Sequence, residues 1–249
     1  MTASAGKRRY QDVAEALKAD ILEKGYHVGD RLRTERQMSE EMGVSRSLVR
    51  EAVIMLEIEG FVDVRKGSGI YVARLPVEEA TPGRGDIGPF ELLQARQLLE
   101  SSIAAFAATM VTKADIVRMR GALEMERKAI EAGSDDYSGD EMFHRMIAEA
   151  TQNSVLVDMI EELWRKREES PMWARLHERI FDETYRSNWL ADHQAILNAL
   201  QCKDAAAARQ AMWQHLDHVR HTLLELSDVD DPEFDGYLFN ADPVASMVS

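Results

Sequence analysis

The sequence predicts a mainly α protein in two modules, three helices with a small β-hairpin first and an all-α bundle second. Three observations carry that reading. Apolar residues recur at helical spacing through most of the 249 residues. One short stretch, residues 61–72, instead sets β-branched and aromatic residues around a glycine-rich tip. Residues 75–89, LPVEEATPGRGDIGP, gather three of the six prolines and divide the two patterns.

Charge divides at the same place. The whole chain carries a formal −14, yet residues 1–75 hold 13 Lys and Arg against 12 Asp and Glu. A near-neutral head on a strongly acidic body points to two modules with different duties. Apolar residues at 45% are enough for a real core. No segment approaches the roughly 18 consecutive apolar residues of a membrane span. The N-terminus MTASAGKRRY lacks the apolar stretch of a secretory signal, and Cys202 is the only cysteine, so the expected location is the cytoplasm. The expected boundaries are 8–75 for the head, 76–89 for a linker, 90–227 for the body and 228–249 for a C-terminal tail.

In the head, Val13, Leu17, Ile21 and Leu22 mark one face of a helix from Tyr10 to Lys24. A second helix is expected from Thr34, a capping hydroxyl, to Met42, where Gly43 can adopt the left-handed turn that stops a helix. Ser45 then caps a third, Arg46 to Glu59, whose inner stripe is Val49, Val53 and Leu56. Phe61, Val62 and Val64 form one β run and Ile70, Tyr71 and Val72 another, joined through Lys66-Gly67-Ser68-Gly69. That order is the order of a winged helix-turn-helix. Arg46 and Arg50 lie four apart near the start of the third helix, the part a recognition helix places in the major groove. Arginine pairs bidentately with guanine, and Ser45, Ser47 and Arg36 stand close enough to serve phosphates or base edges. The alternative is a solvated face on which Arg46 or Arg50 pairs with Glu51.

The run Gly29-Asp30-Arg31-Leu32, Glu35-Arg36, Gly43-Val44-Ser45-Arg46, Val49-Arg50-Glu51-Ala52, Leu56-Glu57, Glu59-Gly60, Gly67-Ser68-Gly69 and Val72 resembles the DNA-binding domain of GntR-type bacterial transcription regulators. The resemblance spans residues 10–73. It implies double-stranded DNA as partner, with contacts from Arg36, Ser45, Arg46, Ser47 and Arg50, and from Lys66 and Gly67 at the wing. One position departs from the pattern: Arg33 stands where the family usually has proline. Its loss either loosens the loop or gains a phosphate contact.

From Phe90 onward helix follows helix. The expected segments are Phe90 to Met110, Lys113 to Ala132 capped by Thr112, Asp140 to Thr151, and a fourth capped by Asn153 or Ser154 that ends at Arg167. Pro171 interrupts before Trp173 to Thr184, and Trp189 to Leu200 and Ala205 to Leu226 complete seven helices. Strict heptads are absent, which excludes a long coiled coil. Asp140 and His144, four apart, project from one helix face. His193 precedes Ile196, Leu197 and Leu200, and His215 lies between Met212 and Val219, so both point inward. Three imidazoles and a carboxylate on three core-facing stripes can surround one divalent cation. Nitrogen and oxygen donors without thiolate suit zinc, nickel or manganese, with zinc the working choice. Each of these histidines could instead be a satisfied core residue. His177, His218 and His221 do not share the arrangement.

The body resembles the ligand-sensing (FCD) domain of the GntR subfamily named after the fatty-acid regulator, over about Phe90 to Leu226. The resemblance implies a metal held by Asp140, His144, His193 and His215 at the base of an effector cavity. It also implies that Arg96 points at a small carboxylate effector; a guanidinium fork suits that group, and the competing role is an i,i+4 bridge to Glu100. Trp164, Trp173, Trp189 and Trp213 could stack on sugar faces or simply fill the core. GPFELLQARQLLES, SPMW at 170–173, AMWQHL at 211–216 and FDGYLF at 234–239 are similar to repressors of hexuronate-utilisation operons in enterobacteria. The resemblance implies a homodimeric, non-enzymatic repressor on a pseudo-palindromic operator, released by a hexuronate such as fructuronate. Two other classes compete with this reading. A metal-dependent hydrolase would need an open metal position with a general base, and there is no HExxH motif. An architectural DNA-binding protein would leave the Asp/His set unexplained.

Overall fold

The computed structural model describes residues 9–65, 68–76, 87–177 and 185–227. The chain forms two compact units, residues 1–86 with 227–249, and residues 87–226.

The first unit is built from α1 (Arg9–Glu23), α2 (Glu35–Met42), α3 (Arg46–Ile58), β1 (Val62–Arg65) and β2 (Gly69–Val72). Its core joins Val13, Leu17 and Ile21 of α1 to Met38 of α2, Val49, Val53 and Leu56 of α3, and Phe61, Ile70 and Val72 of the hairpin. Burying side chains of this size contributes about 1.5–3 kcal/mol each. The turn between α2 and α3 is fixed by chemistry visible in the sequence. Thr34 and Gln37 form a reciprocal capping box, and Gly43 takes the left-handed conformation at φ 64°. Ser45 then accepts from the Leu48 amide at 3.3 Å, restarting the chain as α3. The strands pair antiparallel with Val62 opposite Val72 and Val64 opposite Ile70. Arg31 adds an isolated bridge to Tyr71, flanked by bonds from Leu32 N to Ile70 O and Val72 N to Asp30 O. The loop before α2 therefore lies along the outer edge of β2.

Arg33 is tied down on both sides, bonding Asp20 of α1 and Glu41 of α2. In place of proline's stiff ring, an ion-paired side chain holds this loop to two helices. It neither hangs loose nor presents an uncommitted cation.

The second unit holds α4 (Pro89–Met110), α5 (Lys113–Glu131), α6 (Ser138–Ala150), α7 (Ser154–Glu168), α8 (Pro171–His177), α9 (Tyr185–Gln201) and α10 (Ala205–Leu226). The long α4 packs chiefly along α10 and also meets α6, α7, α8 and α9, while α5 packs on α6 and α9. The Thr112–Asp115 box starts α5, and the Asn153 side chain starts α7. Three helix starts differ from expectation by two residues or more. α6 begins two residues earlier, at Ser138. Pro171 opens α8 instead of interrupting it, since a first-turn residue needs no amide donor, and Ser170 Oγ accepts from Trp173 N at 3.0 Å. α9 begins at Tyr185, four residues before Trp189. The expected helix Trp173 to Thr184 is described only as far as His177. The tail, most of the linker, and the wing residues Lys66 and Gly67 lie outside the described residues.

Candidate metal centre and effector cavity

Asp140 and His144 sit one turn apart on α6, His193 comes from α9 and His215 from α10. All four are buried, and one donor atom from each lies within 4.8 Å of the others. The His193 Nε2 atom is 3.3 Å from His144 Nε2 and 3.0 Å from His215 Nε2. Asp140 Oδ1 is 3.3 Å from His144 Nε2 and 3.5 Å from His193 Nε2. Donors bound about 2.0–2.1 Å from one ion stand about 3.0–3.4 Å apart in tetrahedral or octahedral coordination. The spacing fits that requirement.

The outer ring nitrogens make the case sharper. His144 Nδ1 bonds Glu100 of α4, and His193 Nδ1 bonds Glu126 of α5 at 2.8 Å. Asp192 Oδ2 lies 3.6 Å from His215 Nδ1 and 2.9 Å from His218 Nδ1. A proton placed on Nδ1 to satisfy a carboxylate leaves the Nε2 lone pair facing the centre. Lone pairs thus converge with Asp140 Oδ1, a buried oxygen without a hydrogen-bond partner among the described residues. Such a set repels itself unless a cation or extra proton sits inside it. The residues present fit a divalent ion.

The charges of the protein itself tell the same story. Burial opposes ionisation of Glu100, but Arg96 and then His144 hold its carboxyl down at about 2. Burial also disfavours a cationic His144, and the Glu100 and Asp140 carboxylates outweigh it, carrying the imidazole up to about 9. His215 is pushed down to about 3, by burial first and then by neighbouring His193. The carboxylates therefore call for positive charge at the centre, which a divalent ion supplies without a proton.

A small cavity opens beside this centre. Asp140 and His215 face it from the metal side, and Arg96, Arg167, Trp173 and Trp189 line the rest. Arg96 is buried, its Nε donating to Glu100 Oε1 at 2.6 Å and its guanidinium lying 4.5 Å from the Trp164 ring centroid. The i,i+4 bridge and the place on the cavity wall thus coexist. Trp173 and Trp189 reach the cavity, Trp164 is core, and Trp213 is half-buried with its carbonyl accepting from Gln97 at 3.2 Å. His177 also lines the cavity, bonding Tyr137 at 3.1 Å.

Sequence reasoning met Glu100 only as a bridge to Arg96 and missed Glu126, Asp192 and Arg167. The two glutamates were detectable as charged residues inside apolar stripes: Glu100 follows Leu93 and Gln97, and Glu126 follows Met119 and Leu123, all buried. Arg167 likewise continues the stripe of Ile160 and Trp164.

In the first unit, the residues expected to contact DNA occupy different environments. Arg36 is exposed on α2 and pairs with Glu40 at 3.2 Å. Ser45 is exposed and Ser47 half-buried, their hydroxyls 3.1 Å apart at the start of α3. Arg46 and Arg50 are buried, at 4% and 0% exposure. Arg50 Nε donates to Glu35 Oε2 at 2.7 Å, linking α3 to α2. An Arg–Glu ion pair is thus present for Arg50, with Glu35.

Two family models match the chain. Residues 9–72 match the gntR family of bacterial regulatory proteins, and residues 91–218 match the FCD domain. The chain belongs to the GntR family, in its FCD-bearing branch. It is 54% identical to a Uxu operon regulator of Haemophilus influenzae, over 95% of this chain and 90% of that protein. It is 46% identical to an Exu regulon transcriptional regulator of Escherichia coli, over 97% and 95% respectively. A solved GntR structure from Streptococcus agalactiae is 28% identical and covers 86% of this chain and 99% of that one, at a TM-score of 0.46. As a GntR-family protein the chain is a DNA-binding transcription regulator and not an enzyme, which removes the hydrolase reading. Among the described residues no helix is long and apolar enough to cross a membrane.

Proposed function

We propose that this chain is a cytoplasmic, homodimeric repressor of hexuronate-utilisation genes, released from a pseudo-palindromic operator by a small carboxylate such as fructuronate. The observation that carries the effector class is the cavity. One wall offers Asp140 and His215 of a metal-type cluster, and another offers two guanidiniums. A polyhydroxy acid presents the complementary groups, oxygens to chelate and a carboxylate to pair. The relatives, regulators of a Uxu operon and an Exu regulon, support the operon class.

In this proposal Asp140, His144, His193 and His215 hold a divalent ion, zinc first, with nickel and manganese as alternatives. When bound, the ion supplies Lewis-acid attraction for effector oxygens. The protein's own work is orientation. Glu100 and Glu126 fix the rings of His144 and His193, Arg96 holds Glu100, and the indoles of Trp173 and Trp189 exclude water. The centre cross-braces α6, α9 and α10, with α4 and α5 attached through the two glutamates. An effector seated there favours whichever helix arrangement it binds better, and only that difference in affinity can change operator binding.

On the DNA side, Arg36, Ser45 and Ser47 offer contacts as they stand. Arg46 reads a base after leaving its buried position, while Arg50 sets the angle between α2 and α3 through Glu35 and meets the phosphate backbone only if that pair opens. Lys66 and Gly67 complete the interface at the wing.

The test is release of a labelled operator fragment, followed by anisotropy, against fructuronate, tagaturonate, galacturonate, glucuronate, lactate, gluconate and an acyl-CoA. One keto-hexuronate is expected to act at the lowest concentration. Release by acyl-CoA, or by none of the uronates, refutes the assignment.

A further inference from the structure

Arg96 and Arg167 both face the cavity, yet their surroundings differ. Arg96 is committed: its Nε is on Glu100, whose other oxygen bonds the outer nitrogen of His144. Its charge is used inside the support of the metal cluster. Arg167, near the end of α7, has no carboxylate paired with it among the described residues. Its guanidinium lies 4.9 Å from the Trp164 centroid, 5.0 Å from Trp173 and 5.1 Å from Tyr137. Three aromatic faces thus hold the cation, and Asp140 acts on it through space without forming an ion pair. Burial lowers its pKa; the Asp140 carboxylate opposes that effect and the like charge of Arg96 adds to it. Aromatic faces attract a guanidinium but do not accept along its planar edge of N–H donors, where a carboxylate can.

We infer that Arg167 is the seat of the effector carboxylate, and that Arg96 serves mainly to position Glu100 and His144. The effector then lies across the cavity in one sense, its carboxylate on Arg167 and its hydroxyl or keto oxygens toward Asp140 and His215. Several features support this polarity. A carboxylate on Arg167 pairs with a half-buried cation, whereas one on Arg96 competes with Glu100 for the same guanidinium. The rings of Tyr137, Trp164 and Trp173 restrict the Arg167 side chain, so its fork is ordered before the ligand arrives, which lowers the entropic cost of binding. Carboxylate recognition at one end and oxygen chelation at the other also sets a length, which separates hexuronates from short acids such as lactate.

This inference rests on the proposed effector class, and the experiment keeps the two apart. Metal-loaded full-length protein is titrated calorimetrically with fructuronate, glucuronate, gluconate and acetate, and with fructose as an uncharged counterpart. Wild type, Arg167→Met, Arg167→Lys and Arg96→Met are compared, with metal content and melting temperature recorded for each. For Arg167→Met we expect at least 100-fold weaker binding of the carboxylates, unchanged affinity for fructose, and full metal content. Arg167→Lys should recover part of the loss, because it restores charge without the fork. Arg96→Met should instead lower metal content. If wild type binds gluconate but no uronate, the hexuronate assignment fails, and the gluconate titration of Arg167→Met still decides the role of Arg167. Carboxylate binding by Arg167→Met within threefold of wild type overturns the inference, as does a wild type that binds none of the carboxylates. A misfolded methionine variant leaves the lysine variant to decide: carboxylate binding equal to wild type there overturns it too.

Discussion

Gly139 offers the most direct test of how the metal centre is held. A Cβ at this position would lie 2.6 Å from the Glu126 amide nitrogen and 2.9 Å from both Ala122 O and Glu126 Cα. All three are backbone atoms of α5, so no side chain can swing aside. Ordinary contact begins at 3.4 Å, and Gly139→Ala must therefore push α6 away from α5 by about 0.8 Å. Overpacking of this kind costs about 1–3 kcal/mol, offset only in part by the helix preference of alanine, which is about 1 kcal/mol at most. A net loss of about 1–2 kcal/mol lowers the melting temperature of the bundle by roughly 3–8 °C. The displaced helix carries Asp140 and His144, while Glu126 on the other side orients His193, so metal affinity should fall about 10–100-fold. Gly121 is the control: it is exposed within α5 and has nothing within 4 Å of its added Cβ. Gly121→Ala should raise stability by about 0.5–1 kcal/mol. Calorimetry of the full chain and a competition titration with a metal-sensitive dye measure both quantities. A Gly139→Ala protein that melts at or above wild type with the same metal affinity refutes the close approach of α5 and α6.

The remaining predictions concern composition and DNA. Protein purified without chelator should contain about one divalent ion per chain, and His215→Ala should lower that occupancy; a metal-free wild type without affinity for zinc, nickel or manganese would reduce the cluster to core polar groups. Glu126→Gln should weaken metal binding about 10–100-fold without loss of helicity, measured by the same competition. Arg36→Ala should weaken operator binding and reduce its salt slope by about one, leaving the melting curve unchanged. Arg50→Ala should abolish operator binding and also destabilise the first unit by about 3–5 kcal/mol, because Glu35 is left buried without its partner; normal stability in that variant would detach Arg50 from a structural role.

What the sequence made legible follows from the range of each interaction. Thr34, Ser45, Thr112 and Asn153 act on amides two or three residues away, and Gly43 donates to the Ser39 carbonyl four residues back, so the helix bounds they set could be read directly. Asp140 and His144 were readable together because one helical turn fixes their spacing, and the inward direction of His193 and His215 followed from their apolar neighbours. Which residues stand behind the histidines depends on helices 44 and 67 positions away in sequence, as for His144 with Glu100 and His193 with Glu126. No local rule reaches that far. Even so, a carboxylate placed in an apolar stripe is a local anomaly, and it demands a buried partner of opposite charge or a hydrogen-bond donor. Read that way, Glu100, Glu126 and Arg167 each declare an unseen partner. The structure supplies His144 and Arg96 for Glu100 and His193 for Glu126. For Arg167, among the described residues, it supplies three aromatic faces and the charge of Asp140 without an ion pair, and an incoming carboxylate is the partner we propose.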